Sequence, residues 1–234
     1  MKRIVCAFLL CALLLLPSFA APEPLYLAMT FDDGPSGHFT ARLLDALEER
    51  GVPATFFICG YRVEQFQTLT GRIAEAGHEI GMHGDSHQFF TQMSAQGVCR
   101  DLCEAEEKIE KATGQKPTLL RPPGGKYDTS VLRQSICADL PIILWSLDTD
   151  DWRRTDTNAI AAQIVRNAKN GDIILMHDMS DSSVDAALKA IDELQARGFQ
   201  FVTVSQLAAL SGTALSGCEV YHRFCMEKKD AISE

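Results

Sequence analysis

The sequence predicts an α/β fold with a parallel sheet of about seven strands, on two observations. Short apolar runs rich in strand formers alternate with longer amphipathic segments, and a glycine stands where each helix must stop before the next strand. Glu75-Ala76-Gly77 leads to HEIGMH, Ala112-Thr113-Gly114 to TLLR, Lys169-Asn170-Gly171 to DIILMH and Ala196-Arg197-Gly198 to FQFVTV. Strands separated by helices of this length form βαβ units, whose crossovers make the pairing parallel. A closed barrel and an open doubly wound sheet both suit the pattern. In either one, reactive residues collect at the carboxyl ends of the strands.

Taken in order, the chain opens with Lys2 and Arg3, an apolar segment from Ile4 to Leu16, Pro17, and the small-residue site Ser18-Phe19-Ala20. This is the grammar of a secretory signal peptide over residues 1–20, and the apolar part is short for a bilayer span. The stretch LYLAMTFDDGP, Leu25 to Pro35, is a strand that ends in two adjacent carboxylates before Gly34 and Pro35 turn the backbone. His38 to Arg50 carries Phe39, Leu43, Leu44 and Leu47 at helical spacing, Gly51 ends it, and Ala54 to Cys59 is the next strand. The helix before Gly114 sets Val98, Leu102, Ala105, Ile109 and Ala112 on one face. One domain over 21–210 is expected, followed by a small, polar tail over 211–234 that its cysteines can hold.

Composition narrows the function. With 46% hydrophobic and 23% charged residues in 234, the chain can build a sizeable core. Its formal charge is −9, and without Lys2 and Arg3 it carries 20 basic against 31 acidic residues. A nucleic-acid partner is excluded on that balance. No dinucleotide fingerprint or phosphate-binding loop follows any strand. Export would leave six cysteines, Cys59, Cys99, Cys103, Cys137, Cys218 and Cys225, in an oxidising compartment. Six allow fifteen pairings, among which the sequence does not choose. Their spacings contain no CxxC pair, which disfavours a cysteine zinc site.

Five strand ends carry chemistry: Asp32-Asp33, then His83 and His87, then Arg121 to Gly125, then Asp148 to Trp152, and lastly His177. Successive strand residues face opposite ways, so Asp32 and Asp33 can take separate tasks. Asp-Asp-Gly-Pro alone reads as a plain turn; the downstream clusters give it a second meaning. His83 and His87 lie four apart and share a face on a helical turn. With one carboxylate they form a three-ligand site with an open position, the arrangement of hydrolytic zinc centres. Non-haem iron uses the same ligand set, and there Asp85 of His83-Gly84-Asp85 would replace Asp33.

TFDDGP, HGDSH, RPPGG, DTDDW and LMH, in that order between Leu25 and Leu210, resemble the five motifs of the polysaccharide deacetylase family, also called NodB-homology or carbohydrate esterase family 4. The resemblance implies a distorted (β/α) barrel that binds a divalent metal, zinc first and cobalt or manganese as alternatives. It implies removal of N-acetyl groups from chitin-like or peptidoglycan sugars, with release of acetate and a free amino sugar. O-deacetylation of xylan and a catalytically silent carbohydrate-binding role are the alternatives, and intact Asp32 and His177 speak against the silent one. By position, Asp33, His83 and His87 would hold the metal, and Asp32 would be the base, paired bidentately by Arg121. His177 would be the acid, oriented by Asp151. Trp152, Leu175, Pro123 and Gly124 would form the substrate pocket, with the Gly124 N–H facing the developing oxyanion. Gly124 departs from the aromatic residue usual there, which reshapes the cleft. An acetylated polysaccharide is the expected partner of a monomer that is secreted or in the cell envelope, with no stable membrane span once the signal is removed.

Overall fold

β1 (Leu25–Asp32) is central because its run is apolar on both faces, and every residue from Leu27 to Phe31 is buried. The computed structural model describes residues 23–128 and 139–226; the expected signal segment and Cys137 lie outside them. After β1 come α1 (His38–Glu49), β2 (Thr55–Ile58), α2 (Gly60–Gln65), α3 (Gln67–Glu75) and β3 (Glu79–Met82). α4 (Ala95–Thr113), β4 (Ile142–Ile143), β5 (Leu147–Asp148), α5 (Thr157–Asn167) and β6 (Asp172–His177) follow. α6 (Asp181–Ala196), β7 (Phe199–Phe201), α7 (Val204–Leu210) and β8 (Val220–Tyr221) complete the described chain.

The main sheet runs β3-β2-β1-β6-β5 and is parallel throughout. β2 pairs with the upper end of β1, Thr30 to Asp32, while β7 pairs with its lower end, Leu25 to Leu27. One strand thus changes neighbour along its length, which distorts the barrel. Beyond β3 the path continues through single bridges, Met82 to Leu120 and Leu120 to Ile142, into the β4–β8 pair. The expected strand at TLLR is therefore one bridged residue. Pro117 before it and Pro122-Pro123 after it cannot donate to a ladder, so pairing cannot extend. FQFVTV divides as well. Its strand stops at Phe201 because Thr203 and Gln206 form a capping box that opens α7.

α4 shows how helices are set on the sheet. Ser94 accepts from the Gly97 N–H at its start, Val98, Leu102, Ala105 and Ile109 are buried along one face, and Gly114 ends it at φ +72°. Of the segment beyond Leu210, the described residues 211–226 are built into the domain. β8 pairs with β4, Phe224 is 2% exposed, and Arg223 meets Asp172 at 3.2 Å. Strand pairing and core burial hold them. Cys59 is a buried free thiol at 3.8 Å from the His83 carbonyl, with burial pushing its pKa up. No helix among the described residues is long and apolar enough to cross a membrane.

Candidate active site

Sheet register alone brings the expected residues to one level. Asp32 pairs with His177 across β1 and β6 and with Phe57 across β1 and β2. β3 ends one residue before His83, and Leu120, bridged to Met82, is followed by Arg121. Parallel strands that end at one height present their next residues to a common mouth.

Asp33, at φ +70°, leaves the strand and turns its carboxylate toward the two histidines. Its Oδ1 lies 3.0 Å from His87 Nε2 and 3.3 Å from His83 Nε2, is buried, and accepts no hydrogen bond among the described residues. One ligand atom from each of these residues lies within 4.8 Å of the other two. His83 Nδ1 sits 2.6 Å from the Arg121 carbonyl. Its N–H donates there, which leaves the Nε2 lone pair aimed at the cluster. Burial alone would raise the Asp33 carboxyl, but the close approach of His83 and His87 holds it well below the ordinary carboxylate range. His87 is raised in turn, by the adjacent Asp33 carboxylate against the opposing effect of burial. An orphaned buried carboxylate oxygen between two imidazole nitrogens is a donor set that fits a divalent cation. Asp85, the other candidate carboxylate, is taken by Lys108 at 2.7 Å. The described triad uses Asp33.

Asp32 has different company. Arg121 is fully buried and donates from Nη1 to Asp32 Oδ1 and to Thr30 Oγ1, both at 2.7 Å. Its Nε and Nη2 donate to the Ile143 and Leu144 carbonyls at 2.9 and 3.0 Å, and Phe57 packs at 4.0 Å. The bidentate pairing expected for Arg121 is not formed: one nitrogen serves Asp32, and the others are spent on the carbonyls of Ile143, the last residue of the short strand β4, and Leu144, the first beyond it. Burial lowers the guanidinium and the Asp32 charge opposes that. At His177, Nδ1–H donates to Asp151 Oδ1 at 2.8 Å and the backbone N–H to Asp151 Oδ2 at 2.9 Å. Burial disfavours a charged ring here, yet Asp151, with Asp32 and Asp33 behind, outweighs it and raises His177 to about 9. His177 Nε2 faces Asp33 Oδ2 at 4.0 Å.

These groups surround one cavity of about 420 Å³. Leu175 lies in its wall, and Trp152 stands at the rim, 67% exposed. Gly124 offers bare backbone to it, whereas Pro123 is buried and lies outside the lining. Arg121 and Asp151 act from behind the wall. Two wall residues, Phe89 and Trp145, were missed at the sequence level. A Cβ on Gly124 would come 2.9 Å from Phe89 Cε1, and one on Gly125 would come 2.7 Å from Trp145. The rings thus occupy the space in front of both glycines. Gln88-Phe89-Phe90, directly after His87, was the available signal. Gly124 also sits at φ +60°. Gly124→Ala is accordingly expected to destabilise the fold by about 1–2 kcal/mol from the left-handed backbone alone; denaturant unfolding of the variant checks this.

Fold and site together define a class: a parallel α/β barrel whose strand ends present a His-His-carboxylate metal-site geometry, a buried Asp–Arg pair and an Asp-oriented histidine around one pocket. Within that class, the chain belongs to the polysaccharide deacetylase family, which it matches over residues 20–142. It is 35% identical over 181 residues to the peptidoglycan-N-acetylglucosamine deacetylase PgdA of Listeria monocytogenes, covering 77% of this chain and 38% of that protein. The chain therefore spans about two fifths of that relative's length. A T48 deacetylase solved with substrate superposes with TM-score 0.80 at 39% identity, covering 85% of this chain and 96% of that one. A family 4 acetyl xylan esterase from Clostridium thermocellum, solved with a cobalt ion, superposes with TM-score 0.79 at 31% identity, covering 85% and 98%.

Proposed function

We propose that this protein is a metal-dependent hydrolase of the cell envelope that removes acetyl groups from an N-acetylated glycan, leaving acetate and a free amino sugar. The observation that carries this reading is the split of two adjacent carboxylates. Asp33 is turned to two imidazole nitrogens and Asp32 to a buried guanidinium, with His177 across the same cavity. Identity to a deacetylase of peptidoglycan N-acetylglucosamine supports the N-acetylated substrate.

Asp33, His83 and His87 would hold the metal, zinc in this assignment. A bound zinc lowers the pKa of water toward about 7 and polarises the acetyl carbonyl. Asp32, oriented by the hydrogen bond from Arg121, takes the proton of the attacking water. Arg121 remains charged throughout, so it orients and exchanges no proton. The Gly124 backbone N–H supports the developing oxyanion. His177 carries a proton at neutral pH and gives it from Nε2 to the departing amine as the carbon–nitrogen bond breaks. Asp151 holds the opposite ring nitrogen and fixes which one delivers it. Leu175 and Trp152 bound the space for the acetyl methyl group.

Acetate release from N-acetylated chitin oligomers, peptidoglycan and acetylated xylan tests the substrate class. Release from the first two is expected, and release from xylan alone would replace the N-deacetylase reading with an esterase one. His177→Ala is expected to lower kcat by about 10²–10⁴-fold, with metal content unchanged by elemental analysis. Wild-type turnover in that variant would remove His177 from catalysis.

A further inference from the structure

We propose that Asp101, on α4, is a positioning residue that holds the His83–His87 loop in its metal-binding form. This rests on the reading that Asp33, His83 and His87 bind a metal. Asp101 is 6% exposed and lies in the buried stripe formed by Val98, Leu102 and Ala105. An acidic residue in that stripe is costly unless it is fully hydrogen-bonded. Among the described residues, its hydrogen-bond partners come from the loop between the two histidines. Asp101 Oδ2 accepts the Asp85 N–H at 2.7 Å, and Oδ1 accepts the Ser86 N–H at 3.0 Å and the Ser86 hydroxyl at 2.6 Å.

The loop is shaped around this carboxylate. Gly84 has φ +75°, and a Cβ there would come 2.6 Å from Asp101 Oδ2, so backbone and carboxylate are pressed together. His87 has φ +60°, which is uncommon for a residue with a side chain and needs support from its surroundings. Consecutive N–H groups converging on an anion make a nest, here filled by a side chain rather than a ligand. Other ties help to hold the loop: Gly60 and Tyr61 donate backbone N–H groups to the Gly84 and Asp85 carbonyls at 3.0 and 3.1 Å, and Lys108, also on α4, meets the Asp85 side chain at 2.7 Å. Asp101 thereby couples the packed face of α4 to the separation of His83 and His87. Its carboxylate contacts neither histidine, so it acts through the loop.

The test uses the full chain and two variants, with zinc affinity measured by competition against a chromophoric chelator. Asp101→Asn keeps the volume but turns an N–H₂ group toward the loop's donors. It is expected to weaken zinc binding about 10–100-fold, the usual effect of a ligand's supporting partner. Its zinc-free form should still unfold cooperatively, and KM and kcat should return to wild-type values at saturating zinc. Ser86→Ala deletes only the hydroxyl bond and is expected to weaken zinc about 2- to 10-fold; it decides the matter should Asp101→Asn fail to fold. Wild-type zinc affinity in the folded variant would overturn the proposal, as would a kcat deficit that excess zinc does not repair. A wild-type protein that takes up no zinc would overturn the metal reading itself, a different result from either of these.

Discussion

Asp33→Asn is expected to weaken zinc affinity by more than about 100-fold, whereas Asp32→Asn keeps its zinc and loses about 10²–10⁴-fold in kcat. The scale for Asp33 follows from comparison. Residues that merely orient a ligand cost about 10–100-fold in metal affinity, and Asp33 is placed as a ligand, with two Nε2 atoms at 3.0 and 3.3 Å from its buried Oδ1. An amide removes the charge from that cluster while changing shape little. Asp32 Oδ1 instead faces Arg121, and its Oδ2 lies 3.7 Å from His83 Nε2. Neutralising it removes a proton acceptor and leaves the triad intact. Zinc titration and turnover of both purified variants measure the difference. Equal zinc loss in the two would mean that both carboxylates bind metal, and the division of roles would fall.

Arg121→Met is expected to be the most damaging single change to stability, about 3–5 kcal/mol, the usual effect of removing one partner from a buried ion pair. Three groups of Arg121 donate to four acceptors, Asp32, Thr30, Ile143 and Leu144, in a fully buried position. Methionine fills the channel beside Phe57 but leaves the Asp32 carboxylate buried beside a partner that has gone. The double variant Asp32→Leu with Arg121→Met removes both charges and is expected to recover much of the lost stability. It should remain inactive, because the base is gone. Denaturant unfolding of wild type, single and double variants reads this. A single variant as stable as wild type would show that Arg121 is not essential to holding Asp32.

The fold and much of the site were legible because their signals are local. Helix, glycine and strand follow one another along the chain, and a reactive residue just beyond an apolar run must sit at a strand's carboxyl end. Asp32, Asp33, His83, His87, Arg121 and His177 could be placed at one mouth on those grounds. What escaped depends on contacts between distant segments. Phe89 and Trp145 reach the cavity because loops fold them onto Gly124 and Gly125; the place of Phe89 two residues after His87 was the one local hint, and Trp145 had none. Arg121 was readable as the partner of Asp32, but its single-nitrogen geometry depends on the Ile143 and Leu144 carbonyls at the end of the short β4. Residues 211–226 read as a tail because a two-residue strand and one buried Phe224 are too brief to show periodicity. Asp101 interrupts the apolar stripe of α4 by a single charge, a weak mark until the loop it binds is seen.

The most direct test of the central claim is acetate release from N-acetylated chitin oligomers and peptidoglycan fragments by the purified protein before chelation, after chelation, and after zinc is returned. Release that the chelator abolishes and stoichiometric zinc restores is the predicted result. Release unaffected by complete removal of metal, verified by elemental analysis, would contradict it and leave the Asp33, His83 and His87 cluster without the role given to it here.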